Sequence, residues 1–310
     1  MPFVKPDNEL FAVIPFYAYL LNPAQGYDPV LIALSSMSPT TKFSQDFSLL
    51  TPALNRLDAG TQQTAQQFIA LFEGKNDLLS FCQKLLEGNP NQPRVWFTLG
   101  TALDAAGKPA EAADAFQKVV EMKPDYENAW FRLGNAFFNQ QKWDEAINAY
   151  KKQLDRTPQN ESAWMMYGYA FWKAGKLDEA AKAFADGLKV NPKNLSLLSN
   201  DAELAFVQGD SERCQNRIAA ALPLVQSGSE LFALLPFYQW LSNPTQGLNQ
   251  VLTAIEQLDP AVKFTWSFDT SKPALERMDA KTQQAAQEFI AFFEGKIDLP
   301  TLKARLEQTP

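Results

Sequence analysis

One pattern of 34 residues is written three times between Pro93 and Pro192, and it leaves the chain few folds to choose from. Trp96, Trp130 and Trp164 stand in register. Gly100, Gly134 and Gly168 follow four residues after each, and Ala112, Ala146 and Ala180 sixteen after. Phe116, Tyr150 and Phe184 come twenty after, Pro124, Pro158 and Pro192 twenty-eight after. Within each copy the apolar residues recur at helical spacing in two runs, divided by Gly107, Gln141 or Gly175. Each copy is therefore predicted to be a helical hairpin. A glycine inside a helix costs about 1 kcal/mol against alanine. Three in register point to a close helix–helix approach, expected to run through Ala112, Ala146 and Ala180. Each proline stops a second helix. Such a hairpin cannot bury its apolar side alone, so neighbours must stack into a solenoid.

This arrangement resembles the tetratricopeptide repeat family over residues 93–226. The resemblance implies an all-α fold, a helix-turn-helix solenoid whose first helices line an inner groove that binds other proteins. Counted from each motif Trp, the groove positions are the next residue and those five and eight after it. They fall on Phe97, Thr101 and Asp104, then Phe131, Asn135 and Phe138, then Met165, Tyr169 and Trp172. Asn128, Arg132, Asn139 and Lys173 stand at the edges. Most of the groove residues are large and apolar, which implies a hydrophobic groove for an apolar helix or extended peptide. The alternative is that tight winding or the flanking segments bury them. Family members that grip acidic C-terminal tails use lysine and asparagine here; Phe97 and Thr101 occupy those positions, so no such clamp is expected.

Outside the repeats, residues 9–78 align without a gap with 230–299, and 39 of 70 positions are identical. The chain thus reads as three parts. Residues 1–90 form an N-terminal helical module ending in a degenerate repeat, 91–226 the solenoid, and 227–310 a second, homologous module. The solenoid holds three clear repeats and a worn fourth, 195–226, which keeps Gly209 but carries Leu198 and Ala202 at the Trp and Gly positions. In the first module, helices are expected over 8–21, 29–37, 59–72 and 77–86, with an NPxQG turn and an irregular stretch around Pro39 and Pro52. Between the copies Leu79, Cys82 and Leu86 become Pro300, Lys303 and Glu307, the polar face of a terminal cap. At the other end Ala18 and Leu21 answer to Gln239 and Ser242. That apolar leading face is expected to pair in a homodimer or to be covered by Met1–Val4.

A net charge of −7 argues against nucleic acid or an anionic membrane as partner. The chain has no histidine, which excludes Ser–His–Asp and Cys–His sites and predicts stability that is flat between about pH 6 and 8. Cys82 and Cys214 sit at apolar helical positions and read as buried free thiols of a reducing compartment. The apolar run Leu10–Leu21 is too short to span a bilayer and recurs at Leu231–Leu241, so it reads as core in a cytoplasmic protein without membrane insertion.

Asn22, Gln25, Lys42, Arg56, Asp58, Gln62, Gln63, Glu73 and Lys75 are retained between the modules. A catalytic reading makes Asp58 and Glu73 acids near Arg56 and Lys42. The structural reading makes Asp58 a helix cap, Lys42 and Arg56 ties for the irregular stretch, and Glu73–Lys75 a solvated turn. Without histidine, metal-ligand spacing or a phosphate loop the structural reading is preferred, and no catalytic residue, metal or cofactor is expected. The expected function is a non-catalytic intracellular scaffold or adaptor for a protein or peptide. A narrower variant is a chaperone for a secreted or membrane-associated client. The alternative of another class is an enzyme or enzyme regulatory subunit, which a pocket lined by the retained polar residues of both modules would favour.

Overall fold

Glycines and prolines punctuate the chain where the sequence places them, and helices fill the intervals. The computed structural model describes residues 5, 7–37, 41–245 and 247–308; Met1–Val4, Pro39 and Gln246 lie outside them. Among the described residues all regular structure is helical. The first module comprises α1 (Leu10–Leu21), α2 (Asp28–Ser36), α3 (Thr51–Leu54), α4 (Ala59–Phe72) and α5 (Leu78–Gly88). The repeats follow as hairpins: α6 (Pro93–Ala105) with α7 (Pro109–Met122), and α8 (Ala129–Asn139) with α9 (Trp143–Arg156). Next come α10 (Glu161–Lys173) with α11 (Leu177–Val190), and α12 (Leu195–Gln208) with α13 (Ser211–Ala221). The second module comprises α14 (Leu231–Ser242), α15 (Leu248–Gln257), α16 (Lys272–Leu275), α17 (Ala280–Phe293) and α18 (Leu299–Glu307). The short α3 and α16 lie in the stretches expected to be irregular.

These elements form two compact units, Met1–Thr157 and Pro158–Pro310. Each module therefore shares a unit with the repeats beside it. In the first, a continuous core runs from Phe16, Phe68 and Phe81 of the module to Val95, Phe116 and Leu133 of the repeats. In the second, Phe184, Leu197 and Ile218 join Phe237, Phe289 and Leu302.

The helix glycines are buried under aromatic rings. A Cβ at Gly100 would lie 2.8 Å from Phe116, at Gly134 2.5 Å from Tyr150, and at Gly168 2.4 Å from Phe184. This corrects the expectation that the approach runs through the alanines. Ala112, Ala146 and Ala180 are fully buried, but the ring four residues further on takes the space beside the glycine. Each motif indole donates to a proline carbonyl at 2.8 Å: Trp96 to Pro90, Trp130 to Pro124, Trp164 to Pro158. The hairpin turns use left-handed backbone at Gly107 and Gly175, and the second repeat places Gln141 there at φ +60°. A side chain in that conformation costs roughly 1–2 kcal/mol.

Candidate protein-interaction site

In the first unit the expected groove residues lie on α6 and α8 and are partly exposed. Phe97 packs on Phe116 and Tyr126, at ring distances of 5.5 and 5.1 Å. Phe131 meets Tyr150 at 5.8 Å and Phe138 meets Trp143 at 4.9 Å. Asn135 accepts a hydrogen bond from the Tyr150 hydroxyl at 2.8 Å, and Asn139 donates to Asp104 at 3.3 Å. Asn128 starts α8 in left-handed backbone, and Arg132 is half-buried one turn on.

Thr101 opens a cavity that the sequence did not single out. It has a volume of about 780 Å³ and lies between α6, α2, the α4–α5 turn and the stretch around Phe43. Leu34, Met37, Phe43, Leu71, Leu79, Ala102, Ala105 and Ala106 make the wall apolar, with Lys42, Glu73 and Asp77 among its polar residues. One signal was available. Ala105 and Ala106 stand where the next repeats carry Asn139–Gln140 and Lys173–Ala174, so only the first repeat leaves that end of its helix bare.

The second unit treats the same positions differently. Trp172, expected in the groove, is 6 % exposed and belongs to the core. Tyr169 packs edge-on against it at 6.2 Å, Lys173 lies 5.1 Å over the Tyr169 ring, and Met165 is half-buried. In the worn repeat the groove positions Ser199, Glu203 and Phe206 are buried. Thr270 and Ser271 of the module donate to the Glu203 carboxylate at 2.7 and 2.6 Å, and Phe206 meets Tyr238 at 5.8 Å. Burial raises the Glu203 carboxyl above its ordinary value, against the lowering hydrogen bonds of Ser271 and Thr270. Asp201 is likewise raised by burial despite its 2.6 Å pair with Arg217. These two raised carboxyls are titrating groups that the absence of histidine leaves out of account.

The retained polar residues do not converge on one place. Asp58 caps α4 through the Thr61 amide at 2.9 Å, and Thr61, chiefly by its hydroxyl, holds that carboxyl below its ordinary value. Glu73 pairs with Lys75 at 2.6 Å, and Arg56 is exposed. Lys42 and Glu73 reach the cavity but Asp58 and Arg56 do not line it. Cys82 and Cys214 are free and buried, and burial pushes both thiols up to about 12. Among the described residues no group of three acidic, cysteine or histidine side chains is placed to hold a metal ion, and no helix is long and apolar enough to cross a membrane.

The family model described as tetratricopeptide repeat matches in four overlapping stretches, residues 81–127, 97–161, 131–194 and 165–228. The central hairpins are tetratricopeptide repeats. The matched stretches cover α12 and α13, the worn fourth hairpin, and begin within α5, with α4 outside them. Among curated proteins no sequence matches the chain significantly. Solved structures similar to it include MamA, 19 % identical, covering 54 % of this chain and 94 % of that one with a TM-score of 0.46. MamA from Desulfovibrio magneticus RS-1 is 16 % identical, covering 54 % and 96 % at 0.47. YrrB, described as a TPR protein with an unusual peptide-binding site, is 13 % identical, covering 67 % and 97 % at 0.48.

Proposed function

We propose that the chain is a non-catalytic scaffold whose first unit holds an apolar segment of another protein. The observation that carries this reading is the 780 Å³ apolar cavity at Thr101, on the same helix as Phe97 and Asp104. A segment lying over Phe97, Phe131 and Phe138 would place bulky apolar side chains in the cavity and its backbone against Asn135 and Asn139. Arg132 and Asn128 stand at the margin. The second unit contributes less, because Trp172 and Phe206 are buried there. The scatter of Asp58, Arg56 and Glu73 supports a binding role over an enzymatic one.

Displayed peptides of random sequence, selected on the full chain, test the reading. The enriched peptides should carry clustered aromatic or aliphatic residues. Ala105→Trp, which fills the cavity from an exposed position, should weaken them on the order of tenfold or more without lowering Tm. Peptides that bind Ala105→Trp as tightly as wild type would put the site elsewhere, and a selection that enriches none removes the proposal.

A further inference from the structure

The two modules reach the repeats by different helices: α2 and α5 in the first, and α14 and α16, the counterparts of α1 and α3, in the second. In the second unit α14 and α16 seat the module on α12 and α13. Gln215 donates to the Gln239 carbonyl at 3.0 Å and to the Ser242 hydroxyl at 2.6 Å. Thr270 and Ser271 hold Glu203, and Leu235 is buried beneath at 1 % exposure. The same positions of the first module lie 221 residues earlier. All four polar residues of the grip have lost their polar groups: Gln239 answers to Ala18, Ser242 to Leu21, Thr270 to Leu49 and Ser271 to Leu50. Yet this more apolar version of the face is the open one. Leu21 is 88 % exposed, Leu49 85 % and Ile14, the counterpart of Leu235, 42 %. Leu10, Ile14, Ala18 and Leu21 stand three or four residues apart along one side of α1, and an exposed apolar stripe of this kind marks an interaction surface.

The chemistry of the patch selects its occupant. A repeat hairpin like α12–α13 would bring Gln215 and Glu203, whose side-chain partners Gln239, Ser242, Thr270 and Ser271 are here Ala18, Leu21, Leu49 and Leu50. The far end of the chain does not fit either: on α18, Lys303 is paired with Glu256 at 2.5 Å and Glu307 is exposed. What does fit is the patch itself. From Leu10 to Tyr27 there is no Asp, Glu, Lys or Arg. A two-fold axis sets identical residues against one another, so a self-pairing face has to be free of like charge. We propose that a second copy of this chain covers the patch, α1 against α1, in a homodimer through the N-terminal modules. This inference is independent of the groove.

Sedimentation of the full chain across the micromolar range should give a mass rising towards twice that of one chain. Ile14→Asp with Leu21→Asp should weaken association on the order of a hundredfold while helical circular dichroism stays as in wild type. Because Cys82 and Cys214 are fully buried, Ala18→Cys introduces the one accessible thiol among the described residues and should give a covalent dimer on mild oxidation. A monomeric wild type overturns the proposal. So does a dimer that survives the double substitution, or one broken instead by Lys303→Glu on α18.

Discussion

The two flanking modules share most of their residues and play opposite parts. The first precedes its repeats and packs α2 and α5 on α6; the second follows its repeats and packs α14 and α16 on α12. The counterparts of α14 and α16 are α1 and α3, so the two modules dock by different helices. In the first unit the α6–α8 face stays partly exposed and ends in a cavity. In the second the module reaches over α12 and buries Ser199, Glu203 and Phe206. Whether a groove position is available to a partner is therefore decided by how the module docks and not by the repeat that carries the residue.

The sharpest way to break this comparison is to truncate the matched pair Phe138 and Trp172. Trp172→Ala should cost about 3–5 kcal/mol, as for a core aromatic. Phe138→Ala, half-exposed against Trp143, should cost about 1 kcal/mol and act mainly on peptide binding. Urea melts decide it, and equal losses would mean that both units are closed. Gly134→Val and Gly168→Val come next. Their ring contacts are alike in the two units, so each should lose about 1–3 kcal/mol or more. A valine tolerated at one site alone would show that the repeats are not equivalent.

A third test uses protons. The folded chain keeps at Glu203 a proton that the unfolded chain releases, so stability falls as pH climbs from the ordinary carboxylate value to the raised one. Capping groups such as Asp58 and Asp77 are lowered, and their contribution is lost instead as pH drops through their folded values. Glu203→Gln should flatten that decline, raising Tm on the alkaline side of the raised value by a few degrees, at about 2–4 °C per kcal/mol. Among the described residues the first unit has no buried carboxylate, so an unchanged decline would place the titrating group elsewhere. The smallest effect belongs to Gln141→Gly. Relief of the left-handed backbone, less the entropy of glycine, should stabilise by about 0.5–1 kcal/mol.

The repeat hairpins were legible because each needs a turn, a stop and a bare helix position, and glycine and proline supply these locally. Which residue fills the space at Gly134 was not. Ala146 and Tyr150 are both kept at fixed spacing, and spacing alone does not say which side chain lies on the glycine. Trp172 matched Phe138 by repeat position, but its burial belongs to the assembled core of its unit. Glu203 stood at a groove position and reads as solvated until Thr270 and Ser271 are brought to it. The cavity escaped because its walls come from α2, α5 and α6, and only the bare Ala105 hinted at it.

The indole bonds bear on how such a chain can change length in evolution. Each motif tryptophan takes its acceptor from the proline carbonyl six residues upstream, at Pro90, Pro124 and Pro158. Donor and acceptor thus travel on one short piece of sequence. A crossover that adds or removes one whole period, cut just ahead of such a proline, carries every indole away with its own acceptor and strands none. A cut between proline and tryptophan would require the incoming proline to stand at the same distance, so recombination in this chain is constrained in phase but not in number of repeats.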